Sequence, residues 1–300
     1  MKIGVAISSY KTDDDVIQLI KRIILESWPI DGIMVVDSMG EGKIKKYISS
    51  IELDNIEYFN FDVNLGSAGN LLKRLELSSQ KNWDFVLALN HDALVNKSTL
   101  ENLLKYKKTP NLGALYPLKY FPKKRFYDYS GTKEVGPWRS FGKKNPTPNQ
   151  LIPCLWSSSN GALYNLMPVR QGIVPNGDLW MGWEDYLFGL DLKKSGYRQF
   201  LVSNAICNDN YEFTEKKIGF KKIFVAEKPS WYNYYNTRNL LLICIHHHPS
   251  LIRIIRVIIR NLFEIILLLA GLSNTNKKEA ILFKVKAFID GIKKNTGKRI

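Results

Sequence analysis

Three hundred residues, 45% of them apolar, suffice for one large globular domain or two small ones. Three widely spaced cysteines, Cys154, Cys207 and Cys244, form no CxxC pair, which excludes a disulfide scaffold and favours a reducing compartment. A formal charge of +15 fits nucleic acid, anionic lipid or a phosphorylated substrate, yet there is no zinc-finger spacing and no nucleic-acid-binding motif, so nucleic acid is not expected as a partner.

The start, Met1 to Ile7, is too short for a signal peptide and runs straight into a strand over Ile3 to Ile7. Ser8-Ser9-Tyr10 follows as a loop at the strand's carboxyl end. Val16, Leu19, Ile20, Ile23 and Ile24 have helical spacing, behind an acidic first turn of Asp13, Asp14 and Asp15. Gly32 to Asp37 is a second strand, and the three elements make a βαβ unit. Asp37 can accept hydrogen bonds from a base or sugar, or serve as an ordinary turn or cap residue.

A third strand runs over Asn55 to Asn60. Asn64-Leu65-Gly66-Ser67-Ala68-Gly69-Asn70 then leads into a helix through Leu71, Leu72, Leu75 and Leu77. Its small residues allow close backbone approach to a phosphate or ribose, although it is neither a Walker A loop nor GxGxxG.

Phe85 to Asn90 is mostly apolar and bounded by polar sequence, as for a strand buried on both faces. It ends in Asn90-His91-Asp92, at the edge where open α/β sheets place ligands. Asp92 can hold a divalent cation and, through it, a diphosphate; otherwise it is a surface turn. A short helix over Leu100 to Lys107 and a strand over Leu112 to Leu118 follow.

Phe121 to Pro153 reads as a long loop with room for an edge hairpin; Lys123, Lys124, Arg125, Lys143 and Lys144 there either meet phosphates or are simply solvated. Ser157 to Asn160 lead into a short apolar stretch. Glu184 and Asp185 stand at a helix N-terminus, where free backbone amides favour the charged carboxylate, and one acid can serve as a base or both as ordinary helix-start residues. One more strand covers Tyr197 to Val202.

The order of these motifs resembles inverting nucleotide-sugar glycosyltransferases of the GT-A fold, in the family-2 group that includes bacterial rhamnosyltransferases. The resemblance covers roughly the first two hundred residues. It implies an α/β class: a Rossmann-like, mostly parallel central sheet flanked by helices, to which the residues beyond it add C-terminal amphipathic helices. It implies a catalytic domain over 1–225, with a nucleotide-sugar half (1–118) and an acceptor half (150–225). Donor contacts are then expected at Ser8, Ser9, Tyr10, Asp37, Asn64, Gly66, Gly69, Asn70, Asn90, His91 and Asp92. Acceptor contacts are expected at Asn160, Gly161, Trp183 and Glu184, with Asp185 as catalytic base beside Glu184. A Mg²⁺ or Mn²⁺ ion is implied, held by Asp92, Asn90 and Asp209; Asn90 stands where the family's metal motif has its first acid, and Asn208 or Asp209 where many relatives have a histidine. The reaction implied is sugar transfer from a dTDP- or UDP-sugar, dTDP-rhamnose first, to a surface glycan or lipid-linked acceptor. The alternatives are transfer of galactose, galactofuranose or glucose from UDP, and a nucleotide-binding protein of the same fold without turnover.

Residues 226–300 differ in character. Trp231 to Asn239 resembles a tyrosine-rich Arg-Asn segment of related rhamnosyltransferases. Leu251 to Leu272 is apolar but carries Arg253, Arg256 and Arg260 on one helical face, so a basic amphipathic helix on an anionic bilayer is expected, with a core or dimer helix as the alternative. The expected location is the cytoplasmic face of the cell membrane, peripherally bound. His246-His247-His248 on a helix cannot all face one ion.

Overall fold

The computed structural model describes residues 1–26, 28–51, 53–132, 140–209, 213–218, 221–226, 228–271 and 276–300. Its elements begin with β1 (Ile3–Ser9), α1 (Asp13–Leu25), β2 (Gly32–Ser38), α2 (Lys43–Ser50) and β3 (Ile56–Phe61). Next come α3 (Gly66–Ser79), β4 (Phe85–Asn90), α4 (Lys97–Leu104), β5 (Leu112–Phe121), β6 (Phe126–Asp128), β7 (Phe141–Gly142) and β8 (Leu151–Cys154). Then follow β9 (Ala162–Asn165), α5 (Leu166–Arg170), α6 (Glu184–Lys194) and β10 (Arg198–Asn208). The chain closes with β11 (Phe213–Ile218), β12 (Lys221–Ala226), α7 (Tyr232–Leu242), α8 (Leu251–Leu269) and α9 (Lys277–Ile292). Two units are distinguished, Met1–Gly177 with Glu184–Asp209, and Asp178–Trp183 with Asn210–Ile300.

The first unit is built on a sheet with strand order β3-β2-β1-β4-β9-β5-β10-β8. Strands β1, β2, β3 and β4 pair in parallel. Alternation along them sorts side chains into two cores. Ile3, Val5, Ile7, Leu87 and Leu89 face one layer, with Val16, Ile20 and Ile23 of α1 and Leu100 and Leu103 of α4. Ala6, Met34, Val36, Val86 and Ala88 face the other, with Leu71 and Leu75 of α3 and Phe188 and Leu192 of α6. Both faces are thus covered, which is why these strands read as continuous apolar runs.

Strand β9 is reversed. It runs antiparallel to β4, with Ala88 opposite Ala162, and antiparallel to β5. An antiparallel strand beside β4 is entered from the carboxyl end of β4. The residues just before it, Ser159 and Asn160, are therefore delivered to the Asn90 tip. The region expected as a loop contributes β6, β7 and β8, while 133–139 lie outside the described residues. Strand β10 is longer than expected and runs parallel to β5.

In the second unit, α7 has most of its side chains buried, and the 178–183 segment is held by it. Asn239 Nδ2 donates to the carbonyls of Leu179, Met181 and Gly182 at 2.8–3.0 Å, and Arg238 donates to Leu179 O at 2.8 Å. These side chains support backbone in which Trp180, Gly182 and Trp183 all have positive φ.

Helix α8 is amphipathic, as its spacing predicts. Its polar side points inward: Asn261 is buried, and Arg260 bonds Glu264 at 2.9 Å and stacks on Trp183 at 5.1 Å. Lys284 of α9 is fully buried and donates to Glu264 (2.6 Å), Asn261 (2.9 Å) and Thr237 (3.3 Å). The outward side is apolar, including Ile252, Ile255, Ile259, Leu262, Phe263 and Ile266. Arg260 is drawn to this polar interior because the Glu264 carboxylate there needs partners. His246 Nε2 lies 3.0 Å from Gly291 O, at the end of α9, so it is engaged within this unit.

Candidate active site

The carboxyl ends of β1, β2 and β4 lie side by side, which follows from parallel pairing in register: Ser8 opposite Asn90, Ser9 opposite Asp37. Ser8 Oγ donates to Asn90 Oδ1 at 3.2 Å. The backbone N–H of Asn90, which lies past the stretch of β4 paired with β9, donates to Asn160 Oδ1 at 3.0 Å. The Asn160 side-chain amide in turn donates to Asp92 Oδ1 at 3.3 Å. One residue earlier, the Ser159 N–H donates to Asp185 Oδ2 at 3.3 Å. Consecutive residues therefore bridge the exposed Asp92 to Asp185 at the start of α6. Gly161 makes the turn possible: its φ is +91°, and a Cβ there would meet Pro117 at 2.9 Å and Val95 at 3.1 Å.

Asp37 sits deeper than a surface contact. It is fully buried, and Tyr58 OH donates to its Oδ2 at 2.8 Å. Gly40 packs over both groups, where a Cβ would collide with that oxygen. Asp37 Oδ1 and the buried Ser9 Oγ have no hydrogen-bond partner among the described residues. The Asp13 carboxyl is held above its ordinary range by burial first, then by the charges of Asp37 and Glu41. The corner thus holds one unpartnered carboxylate oxygen and one unpartnered hydroxyl, the latter able to donate or accept.

The Asn64–Asn70 loop is ordered by its own side chains. Asn64 Oδ1 accepts from Gly66 N at 2.9 Å, and Gly66 has φ +66° at the first residue of α3. Asn70 Nδ2 donates to Val36 O at 3.0 Å, one residue before Asp37, which ties the loop to β2. Gly69 is backed by Gly177, whose added Cβ would come 3.4 Å from it. Tyr10 is exposed, with Lys11 over its ring, and His91 is half-buried. Trp183 belongs to the second unit, where its Nε1 donates to Asn236 Oδ1 at 2.7 Å.

The oxygen donors at the β4 tip are one carboxylate, Asp92, and one amide, Asn90. Asp209 is engaged by Lys119 at 3.1 Å. Burial pushes the Cys207 thiol up to about 11; Lys119 opposes the rise, while Asp209 and Asp92 add to it, so both carboxylates act on the same corner. Among the described residues no group of three or more His, Cys, Asp or Glu side chains is placed to hold a metal ion. Two hard oxygen donors still fit Mg²⁺ or Mn²⁺ of the kind that completes its sphere with substrate phosphates and water.

Sequence reasoning did not identify Ser159, Tyr58 or Arg74 as site residues. Arg74 left a signal, since a charge at 74 interrupts the Leu71–Leu75 apolar stripe of α3.

Residues 5–166 match the family described as Glycosyl transferase family 2. No match was found among curated proteins. Among solved structures, the chain is similar to GalNAc-T7 crystallised with UDP, GalNAc and Mn²⁺, at TM-score 0.57 and 11% identity, covering 81% of this chain and 47% of that one. It is similar to residues 1–349 of S. aureus TarS in complex with UDP-GlcNAc, at TM-score 0.54 and 15% identity, covering 82% of this chain and 67% of that one. The chain thus spans about half the length of the first and two thirds of the second. At such identities the likeness speaks for the fold, a mostly parallel sheet flanked by helices as in GT-A proteins. The family match over more than half the chain decides membership: the chain belongs to glycosyl transferase family 2.

Proposed function

We propose that the protein is an inverting, metal-dependent glycosyltransferase that moves a sugar from a UDP-sugar to a hydroxyl of a glycan or lipid-linked acceptor. The observation that carries this is the Asp92–Asn160/Ser159–Asp185 bridge, which ties two carboxylates of different surroundings to consecutive residues. Asp37, Tyr58 and the Asn64–Asn70 loop would take the nucleoside. Asp92 and Asn90 would hold the cation, which supplies charge neutralisation for the departing diphosphate. Asp185 would accept the proton of the acceptor hydroxyl as that oxygen bonds to the anomeric carbon and the diphosphate leaves from the opposite face. Glu184, buried beside it, would support the acceptor side. UDP is favoured over the dTDP-rhamnose expected from the motifs, because the structural neighbours were crystallised with UDP or UDP-GlcNAc. The test is a screen of nucleotide sugars with purified full-length protein, reading released nucleoside diphosphate. UDP-sugars should be turned over ahead of dTDP-rhamnose, and both should fail in Asp185→Asn.

The second unit is proposed to lie on a bilayer surface. No helix among the described residues is long and apolar enough to cross a membrane. The outward face of α8 nevertheless exposes large apolar side chains from Leu251 to Leu269, and α9 adds Leu282, Val285, Ile289 and Ile292. At 1.5 Å per residue that strip is roughly 28 Å long. Exposed Lys277, Lys278, Lys293 and Lys294 at the ends of α9 suit headgroup phosphates, while the middle suits acyl chains.

A further inference from the structure

We propose that Arg74 is a positioning residue with an electrostatic role as well: it splints the β4 tip and supplies the fixed positive charge behind the donor's diphosphate site. This rests on the nucleotide-sugar reading above. Arg74 lies on α3 and is 2% exposed. Its guanidinium donates to Leu89 O at 3.0 Å and to Ala6 O at 3.5 Å. Leu89 precedes Asn90, and Ala6 is two residues before Ser8. The pairing of β4 with β9 runs only from Phe85 to Ala88. Beyond it, the last part of β4 remains paired with β1 through Ser8 and Asn90, and two side chains add to that hold: Arg74 on Leu89 O and Asn160 on the Asn90 N–H.

Hydrogen bonding alone does not account for an arginine. A glutamine amide also donates to a carbonyl, and a buried guanidinium carries a desolvation cost that a neutral group avoids. Arg74 has no ion-pair partner among the described residues, and its Nε has no acceptor. Burial lowers its pKa to about 10, and the acidic groups acting on it are Tyr164 and Glu184, so it stays protonated at neutral pH. A charge kept there, behind the two strands whose tips would receive a nucleoside diphosphate, meets its counter-charge when the donor binds. In a low-dielectric setting its attraction for the diphosphate is weakly screened.

The test compares Arg74→Gln, Arg74→Met and Arg74→Lys in the full chain by calorimetry with UDP and with uridine, alongside thermal melts and sugar-transfer kinetics. Both neutral variants should weaken UDP about tenfold or more while leaving uridine affinity unchanged. kcat should fall in parallel, and Arg74→Met, which also loses the bonds to Leu89 O and Ala6 O, should melt no higher than Arg74→Gln. Arg74→Lys should keep UDP affinity within about threefold. The proposal is overturned if Arg74→Gln binds UDP as wild type does. Equal weakening of UDP and uridine also overturns it, since that reports a collapsed site. Should Arg74→Met fail to fold, the Gln and Lys variants decide on the same readings. A wild-type protein that binds neither UDP nor uridine defeats the functional reading and this inference with it.

Discussion

Asp92 and Asp185 differ in surroundings although one side-chain bridge connects them. Asp92 is exposed and shares one oxygen with Asn160; Asp185 receives a backbone N–H at a helix start. Changing Asp92 to Asn should leave the fold intact and remove most Mg²⁺- or Mn²⁺-dependent turnover. Because the protein contributes so few oxygen donors, Mn²⁺ should bind the wild type at least about tenfold more tightly with UDP present than without it. Tight nucleotide-independent Mn²⁺ binding would mean a cage of protein ligands that these residues do not form. Asp185→Asn should lower kcat by a factor of about a hundred or more while UDP affinity stays put, since a base acts in the transition state. Loss of UDP affinity there would move Asp185 to the donor side. Asp92 and Asp185 were both legible in the sequence, as an acid at a strand end and an acid at a helix start. Ser159 was legible only as a small polar residue, and Asn160 only as an acceptor contact implied by the resemblance; their bridging depends on β9 being reversed, and the short run Ala162–Asn165 does not state a strand's direction.

Among the elements, α8 shows a periodic pattern whose two faces are legible and whose orientation is not. The helix and its two faces follow from spacing. Which face turns inward depends on Glu264, Lys284 and Thr237, and the latter two lie on other helices. With the apolar face outward, vesicle binding should survive high salt, unlike binding through an arginine face. Ile259→Lys with Phe263→Lys should abolish it in sedimentation assays without lowering the melting temperature. If these variants instead change a dimer into a monomer by light scattering and vesicle binding is absent throughout, the face covers a second copy. Within the same unit, Glu264→Gln should destabilise by about 3–5 kcal/mol, because it leaves Lys284 buried without its counter-ion. The Glu264 carboxyl is depressed by Arg260 and Lys284 against the opposing effect of burial. Its folded pKa lies below the unfolded value, so its contribution is present above the unfolded pKa of about 4.3 and is lost as pH falls through the folded one. A melt-versus-pH series should show that acid-side loss in wild type and a flatter profile in Glu264→Gln.

For the molecule as a whole, the charge of +15 and the apolar composition limited the possibilities without choosing among them. The β1–α1–β2 unit, the buried β4 and their shared carboxyl edge were readable because a sheet covered on both faces writes itself as apolar runs ending in polar tips. The buried corner around Asp37 was not, since it requires Tyr58 from β3 and Gly40 from the next turn to close over it. In the proposed reaction a sugar leaves UDP and joins a hydroxyl, with Asp185 as base. The most direct measurement is the anomeric configuration of the product by NMR, from full-length protein supplied with UDP-sugars, Mn²⁺ and glycan acceptors. UDP release with a product of inverted configuration is expected, and neither from Asp185→Asn; a product of retained configuration, or full turnover by that variant, rules this reaction out.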